Sequence, residues 1–491
     1  MIEVVKRLVK HSGIYALGVV LSKSVGFLMI PLYTHLLAPR DYGVLELLDL
    51  VLFFAGILAA MGIHPAVFRF YTAYESEQDK KEVIGTALLY NISLSFLVSL
   101  ALFSFAPVFA EAVLGSSTFA PFVRIVSFTL FFSNLCDVPL AYWRAQGRTV
   151  LFVCVGLSRT VVSLSLIVLF LVGFKWGVQG VLYANALANG IAGLVLSAVV
   201  ISAVPKRIIV PKLREMLRYG LPIVPSHVIS FILVFSDRFF LRHFASLTDV
   251  GVYSLGYRLA GIVSVLVSGP FSMTWSWQQF ELAKREDGRR MYARIQVYQL
   301  LVAVTCGLGV SVFAKDILRV MTTEAYWGAA HIVPLIVLSY ILADIRGVVI
   351  SGILVERVTH YLPLVGVVSA ITNLVLNYVL ISRYKAMGAA VATVLSYAVH
   401  LAVTYCVAQR VHRVPYEYAR NAIALGAAAL LYLLSTLHGF SLAGSVLVNL
   451  ALLLSFCAVS LRLLDRDERK MVWQLGVKIV QRLRPLGTRA N

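Results

Sequence analysis

Charge is scarce in this chain. Only 14% of the 491 residues are Asp, Glu, Lys or Arg, against about 25% in an ordinary soluble domain. The acids are the scarcer half, 24 against 43 Lys and Arg. Cysteine is scarcer still. Cys136, Cys154, Cys306, Cys406 and Cys457 all fall inside apolar stretches, with neither metal-ligand spacing nor a disulfide framework. They read as small core residues. Catalytic signatures are missing: there is no phosphate loop, no nucleophile elbow, no HExxH pair and no Cys/His cluster. That excludes an ATP-driven pump built on this chain alone, points away from an enzyme, and leaves no cofactor or metal to expect. No link between apolar stretches exceeds roughly 20 residues, and none is Ser/Gly-rich, so no soluble domain is expected.

What the chain has is apolar length. Hydrophobic residues make up 59% of it, in blocks of the roughly 20–28 residues a helix needs to cross a bilayer. A barrel would show short alternating segments instead. The blocks predict an all-α integral membrane protein with about fourteen crossings, at 12–37, 42–69, 84–110, 118–143, 150–174, 178–204, 215–244, 251–276, 293–314, 331–354, 360–383, 387–409, 416–436 and 441–463.

The net charge of +19 is explained by topology rather than by a nucleic-acid partner. If the N-terminus is inside, 29 of the 43 basic residues fall in inner links and the tail, and seven, including Arg40, Lys175 and Arg319, fall in outer links. Such an asymmetry orients a bundle with both termini in the cytoplasm. Residues 1–11 form a basic amphipathic lead, too closely followed by a long apolar block to be a cleaved signal. The basic tail from Leu464 is read either as lying on the anionic inner leaflet or as a solvated tail.

A repeat organises the blocks. Thr34–Val44 returns 208 positions later as Arg242–Val252, with His35, Asp41, Gly43, Val44 and Leu47 matched by His243, Asp249, Gly251, Val252 and Leu255. The same offset carries Gly180–Ala184 onto Gly388–Ala392. A duplicated unit of six helices follows, giving a lead (1–11), an N-lobe (12–204), a link (205–214), a C-lobe (215–409), two added helices (410–463) and a tail (464–491). Two pseudo-symmetric lobes around a central cavity are the layout of a secondary transporter.

Charges at membrane depth are costly, about 3 kcal/mol each on insertion scales, so they need a partner or a wet cavity. The basic ones are Lys23, Arg69, Arg124, Arg159, Arg238, Arg258 and Arg346; the acidic ones are Glu46, Asp49, Asp137, Asp237 and Asp344. The basic excess predicts a positive cavity suited to phosphate. The cargo-binding candidates are Lys23, Arg124, Arg159, Arg238, Arg258 and Arg346, with Arg69 and Arg124 near enough to helix ends to snorkel instead. Asp49, Asp237 and Asp344 are candidate carriers for Na⁺ or H⁺ coupling. The neighbours Asp237–Arg238 and Asp344–Arg346 do not share helix faces well, so partners on other helices are expected. Gly220, Pro222 and Pro225 make a hinge candidate at the start of helix 7. His64-Pro65 is expected to bend helix 2, with Pro31, Pro139 and Pro270 as further kinks. Trp275 and Trp277 read as interfacial anchors.

The run Tyr33–Gly43, then Met61-Gly62 with Phe68-Arg69-Phe70, resembles the opening of Wzx-type polysaccharide and O-antigen flippases. Tyr219–Pro222, Ser236–Phe239 and Val250–Tyr253 resemble the start of the second half. The wider superfamily holds MATE antiporters and lipid II flippases. The resemblance covers nearly the whole chain. It implies a V-shaped cavity with alternating access. The implied cargo is an undecaprenyl-pyrophosphate-linked oligosaccharide moved across the bacterial inner membrane to the periplasmic leaflet. Glycan polymerase and chain-length regulator proteins are the expected partners besides membrane lipids. Related lipid flippases place cavity cations on helices 1 and 8, a role carried here to Lys23 and Arg258. Three alternatives stand beside it: a MATE-like drug antiporter, which would need a more acidic, aromatic cavity; a membrane glycan polymerase or ligase, which would need a large outer loop; and a scaffold in a glycan assembly complex.

Overall fold

The computed structural model describes residues 26–437 and 442–470, and every regular element within them is helical. Twelve stretches are long and apolar enough to cross a bilayer. The longest, Tyr361–Val411, is two crossings, because Lys385 leaves helical geometry (φ 48°, ψ −128°) and splits it. In chain order the helices are α1 (Gly26–Leu36), α2 (Pro39–Ala73), α3 (Glu77–Ser104), α4 (Ser117–Ala145), α5 (Val150–Gly173), α6 (Gly177–Ala203) and α7 (Val210–Phe244). Then follow α8 (Leu247–Ala283), α9 (Gly288–Met321), α10 (Val333–Val355), α11 (361–384), α12 (386–411), α13 (Tyr418–Thr436) and α14 (Ala443–Leu463). Helix α1 is the far end of the first expected crossing. Lys23, the lead 1–11 and the tail beyond Lys470 lie outside the described residues.

Large apolar side chains such as Phe96, Leu97, Val161, Ile191, Leu194 and Leu447 are more than half exposed. A soluble protein would not leave such bands in water; a bilayer is the solvent that accepts them. Inside, α4 packs on α3 and α6, α7 on α11, and α10 on α9 and α12, while α13 and α14 lean on α9. Small residues set the closest approaches. A Cβ on Gly193 of α6, for example, would stand 2.4 Å from the Phe132 carbonyl of α4.

The two halves of the repeat meet through their matching glycines. Helices α2 and α8 cross with Gly43 against Gly251. A Cβ on Gly43 would lie 2.0 Å from the Leu247 carbonyl oxygen, and one on Gly251 would lie 2.0 Å from that of Pro39. The duplicated motif is therefore the crossing itself. Beside it, Tyr326 donates to the Leu37 carbonyl at 3.0 Å and Thr34 to that of Met321 at 3.2 Å, sealing this end of the bundle, called here the far face. The links richest in Lys and Arg lie at the opposite, basic face.

The breaks in the helices have local causes. Helix α2 breaks at Met61–Gly62, both left-handed (φ 43° and 70°), not at His64-Pro65. Pro65 falls in the first turn of Ile63–Ala73, where its missing N–H is unpaired in any case. Helix α7 comprises Val210–Gly220, a tight turn Leu221–Ile223 holding Pro222, and Val224–Phe244, whose first turn holds Pro225. These two breaks touch: a Cβ on Gly62 would lie 2.3 Å from the Gly220 carbonyl oxygen. The first part of α7 is fastened to α3, since Lys212 reaches Asp79 and Glu82 at 2.7 Å each and Arg207 reaches Glu82 at 3.1 Å. The second part packs on α11. Part of the expected link 205–214 is thus already helix. Helix α8 carries a π-helical turn, Ser264–Ser268, just before Pro270.

Trp275 corrects its expected role as an interfacial anchor. It is buried, donates to Ser351 at 3.0 Å and packs between Phe271 and Tyr292. Trp277 remains exposed.

Candidate functional site

A cavity of about 650 Å³ lies where α1, α2, α7, α8 and α10 converge. Two of the predicted cations line it, and they differ in kind. Arg238 is buried. Its Nη1 donates to Asp237 at 2.7 Å and to the Val234 carbonyl at 2.7 Å, and its guanidinium lies 4.1 Å from the Tyr257 ring centre. Asp237 is equally engaged, because its other oxygen accepts from Tyr253 at 2.5 Å. The expectation that neighbours Asp237 and Arg238 need partners on other helices is therefore half corrected. They bond to each other directly, since Arg238 folds back along its own turn, and α8 adds the tyrosine.

Arg258 is held more loosely. Its Nη2 meets Glu46 at 2.7 Å, and its guanidinium lies 5.4 Å from the Tyr42 ring. Its side chain is 35% exposed, against 4% for Arg238. An incoming anion can take Glu46's place on Arg258 at lower cost than breaking the buried Asp237–Arg238 pair. Asp49, one turn along α2 from Glu46, is exposed and within electrostatic reach of Glu46 and Arg258. Sequence reasoning placed Glu46 at membrane depth but did not make it a site residue. Its spacing of three from Asp49 was the available signal. Among the described residues each cavity arginine carries a carboxylate, so the predicted positive excess is absent there.

The other candidates lie elsewhere. Arg346 of α10 donates to Thr404 of α12 at 3.2 Å and does not pair with its neighbour Asp344. Asp344 is buried, with Oδ2 unpartnered, near Ser268 at the end of the π turn. Arg159 lines a separate small pocket with Cys136, close to the loose pair of His64 and Asp137 at 3.6 Å. Arg124 is exposed on α4 beside Phe103, and Arg69 is exposed over the Tyr219 ring at 4.7 Å; both suit a snorkelling role. Towards the basic face α8 exposes Ser272 and Ser276 on one side and Thr274 and Gln278 on the opposite side, with Met273, Trp277 and Phe280 exposed among them.

Residues 8–275 match the family model described as polysaccharide biosynthesis protein. That is more than half of the chain. The chain belongs to the polysaccharide biosynthesis protein family. An uncharacterized membrane protein of Methanocaldococcus jannaschii, MJ1068, is 22% identical over 80% of this chain and 82% of its own length. The succinoglycan biosynthesis transport protein ExoT of Rhizobium meliloti is 23% identical over 49% of this chain and 47% of its own. The probable low-salt glycan biosynthesis flippase Agl15 of Haloferax volcanii is 22% identical over 38% of this chain and 40% of its own. The fold matches a structure of the lipid II flippase MurJ with a TM-score of 0.74, covering 91% of this chain and 98% of that one at 12% identity. An inward-facing multidrug MATE transporter matches with 0.64, covering 79% and 94% at 15% identity. Within this family the protein is a multi-pass, flippase-type membrane transporter of polysaccharide biosynthesis.

Proposed function

We propose that the protein moves an undecaprenyl-pyrophosphate-linked oligosaccharide from the cytoplasmic to the periplasmic leaflet of a bacterial inner membrane by alternating access. The observation that carries this reading is Arg258: a guanidinium exposed to a cavity at the α2–α8 crossing, held by one displaceable carboxylate. The pyrophosphate takes Arg258, with Lys23 as the expected second cation. The glycan lies in the hydrated interior of the cavity, and the lipid tail stays in the bilayer. The basic face is the cytoplasmic one, and both termini are on it. The two halves rock about the Gly43–Gly251 crossing and the broken α7, which gives Gly220, Pro222 and Pro225 the hinge role. No covalent chemistry is required, so the protein is not an enzyme. Release of Glu46 by the cargo leaves Glu46 and Asp49 as neighbouring carboxylates, a natural place for Na⁺ or H⁺ to bind and couple the cycle. Asp344, buried with a free oxygen, is a second carrier; Asp237 is too well bonded to serve.

The test is flipping of a labelled polyprenyl-pyrophosphate oligosaccharide in proteoliposomes, comparing wild type with Arg258→Ala and Glu46→Gln. Loss of flipping in Arg258→Ala with the fold intact supports the reading. Unchanged flipping in that variant removes the pyrophosphate role of Arg258. Transport of a cationic dye in place of the glycolipid would favour the drug-antiporter reading, which the Glu46–Asp49 pair and the cavity aromatics Phe27, Phe235, Tyr257 and Tyr340 otherwise motivate.

A further inference from the structure

A second hollow, larger than the central cavity, lies apart from it. With a volume of about 900 Å³, it opens on the basic face, between the start of α9 and the junction of α12 with α13. Arg289, Arg290 and Arg413 line it together with Tyr405 and Tyr418. It lies at the ends of three membrane-spanning helices, which puts it level with lipid headgroups.

The carboxylates of this face are mostly engaged. Asp465 and Glu468 hold Arg420, at 2.7 and 3.6 Å, and face Arg294 at 3.9 Å each. Asp287 is bonded to Arg285 at 2.9 Å, and that hydrogen bond keeps its carboxyl below the usual range. Glu286 alone remains in the lining. Among the described residues, Arg289, Arg290 and Arg413 have no ion-pair partner, which leaves the hollow positive. The N-terminal end of α9, beginning at Gly288, adds its dipole with the same sign.

The walls are built rather than loose. Gln409 clamps the α12–α13 link at both of its groups, donating to the Val414 carbonyl at 2.8 Å and accepting from the Val414 N–H at 3.0 Å. The Tyr405 and Tyr418 hydroxyls are hydrogen-bonded to each other across the same link. The clamped link fixes the backbone from which the exposed arginines reach, and guanidinium forks match phosphate oxygens.

We infer that this hollow binds the phosphate of an anionic headgroup from the adjoining leaflet, pinning the added helix α13 to α9 and α12. This is a site separate from the cargo cavity, and it holds whatever cargo that cavity carries. Basic pockets between helix ends on the cytoplasmic side recognise lipid headgroups in this way.

The experiment uses the full chain in mild detergent, titrated with phosphatidylglycerol, with phosphatidylcholine, or with inorganic pyrophosphate, and read by native mass spectrometry. The variants are the triple Arg289→Gln/Arg290→Gln/Arg413→Gln and a charge-matched control, Lys81→Gln/Lys206→Gln/Lys284→Gln, on exposed lysines of the same face. Phosphatidylglycerol adducts are expected to fall about tenfold in the arginine triple and to stay near wild type in the lysine triple. Equal losses in the two triples, or none in the arginine triple, overturn the site. Pyrophosphate adducts lost in the arginine triple, with no preference for phosphatidylglycerol over phosphatidylcholine, would assign the same phosphate chemistry to a soluble ligand. A single Tyr405→Phe variant, which keeps the charges and breaks the hydroxyl pair, should weaken binding about two- to threefold.

Discussion

At the scale of single residues, the two cavity arginines make opposite predictions although both are paired. Arg238 shares a buried bond with Asp237, and both side chains are 4% exposed. Arg238→Met strands a buried carboxylate, at a cost of roughly 3–5 kcal/mol. A marked drop in the melting temperature of the detergent-solubilised protein is expected, followed by tryptophan fluorescence. Arg258 and Glu46 are 35% and 15% exposed, so Arg258→Met should cost less than Arg238→Met and move the melting curve less. Its effect belongs to transport instead, as a fall of about tenfold or more in flipping rate. If both variants melt alike, the distinction between a structural and an exchangeable pair is wrong. Glu46→Gln should separate binding from turnover. Arg258 freed of its carboxylate holds a phosphate more tightly, and a site that binds more tightly without favouring release turns over more slowly.

At the scale of elements, the proposed movement rests on the crossing of α2 with α8 and the break in α7. The Gly43–Gly251 contact leaves no room for a Cβ, since the nearest atoms are backbone carbonyl oxygens at 2.0 Å. Gly43→Ala must therefore part the helices and open the far-face seal. A thiol reagent applied from that face should then label Ser254→Cys in the cavity wall several-fold faster than in the parent, in a background freed of the five native cysteines. Unchanged labelling would show that the seal lies elsewhere. In α7, Pro222→Ala with Pro225→Ala restores donors and removes ring clashes, allowing a straighter helix. The expected result is slower flipping with unchanged melting, because the Lys212 bonds to α3 and the packing on α11 remain. Much of this was legible in the sequence. The crossings, the repeat and the broken start of α7 were written in apolar length, matching glycines and prolines. The break in α2 was not, because left-handed Met61 beside Gly62 has no periodic signature and His64-Pro65 gave a louder one. Trp275 was misread for a related reason: hydropathy places a tryptophan near an interface, but only packing shows whether Ser351 and Tyr292 wait beneath it. The Glu46–Arg258 pair spans two halves of the chain, and single-sequence spacing cannot reach across 212 positions.

At the scale of the whole molecule, the distribution of charge becomes a statement about orientation. A bundle this apolar inserts by length alone; the sign of its links decides which way round. The basic face carries the ends of α8, α9, α12 and α13 with Arg285, Arg289, Arg290 and Arg413, and it also gathers the start of the tail, where Glu468 and Asp465 clamp Arg420. The far face holds the sealed crossing, with Arg319 stacked beside Trp327. Orientation and the proposed mechanism are linked, because in that reading a cargo made on the basic side enters there and leaves where the glycines part. Single cysteines at Arg289 and Arg357 for the basic face, and at Lys175 and Arg383 for the far face, test both at once in intact cells. An impermeant maleimide is expected to label the last two and to reach the first two only after the cells are broken. The reversed pattern would turn the bundle over. The basic face would then lie outward, and the same cavity would describe an importer rather than an exporter of glycolipid.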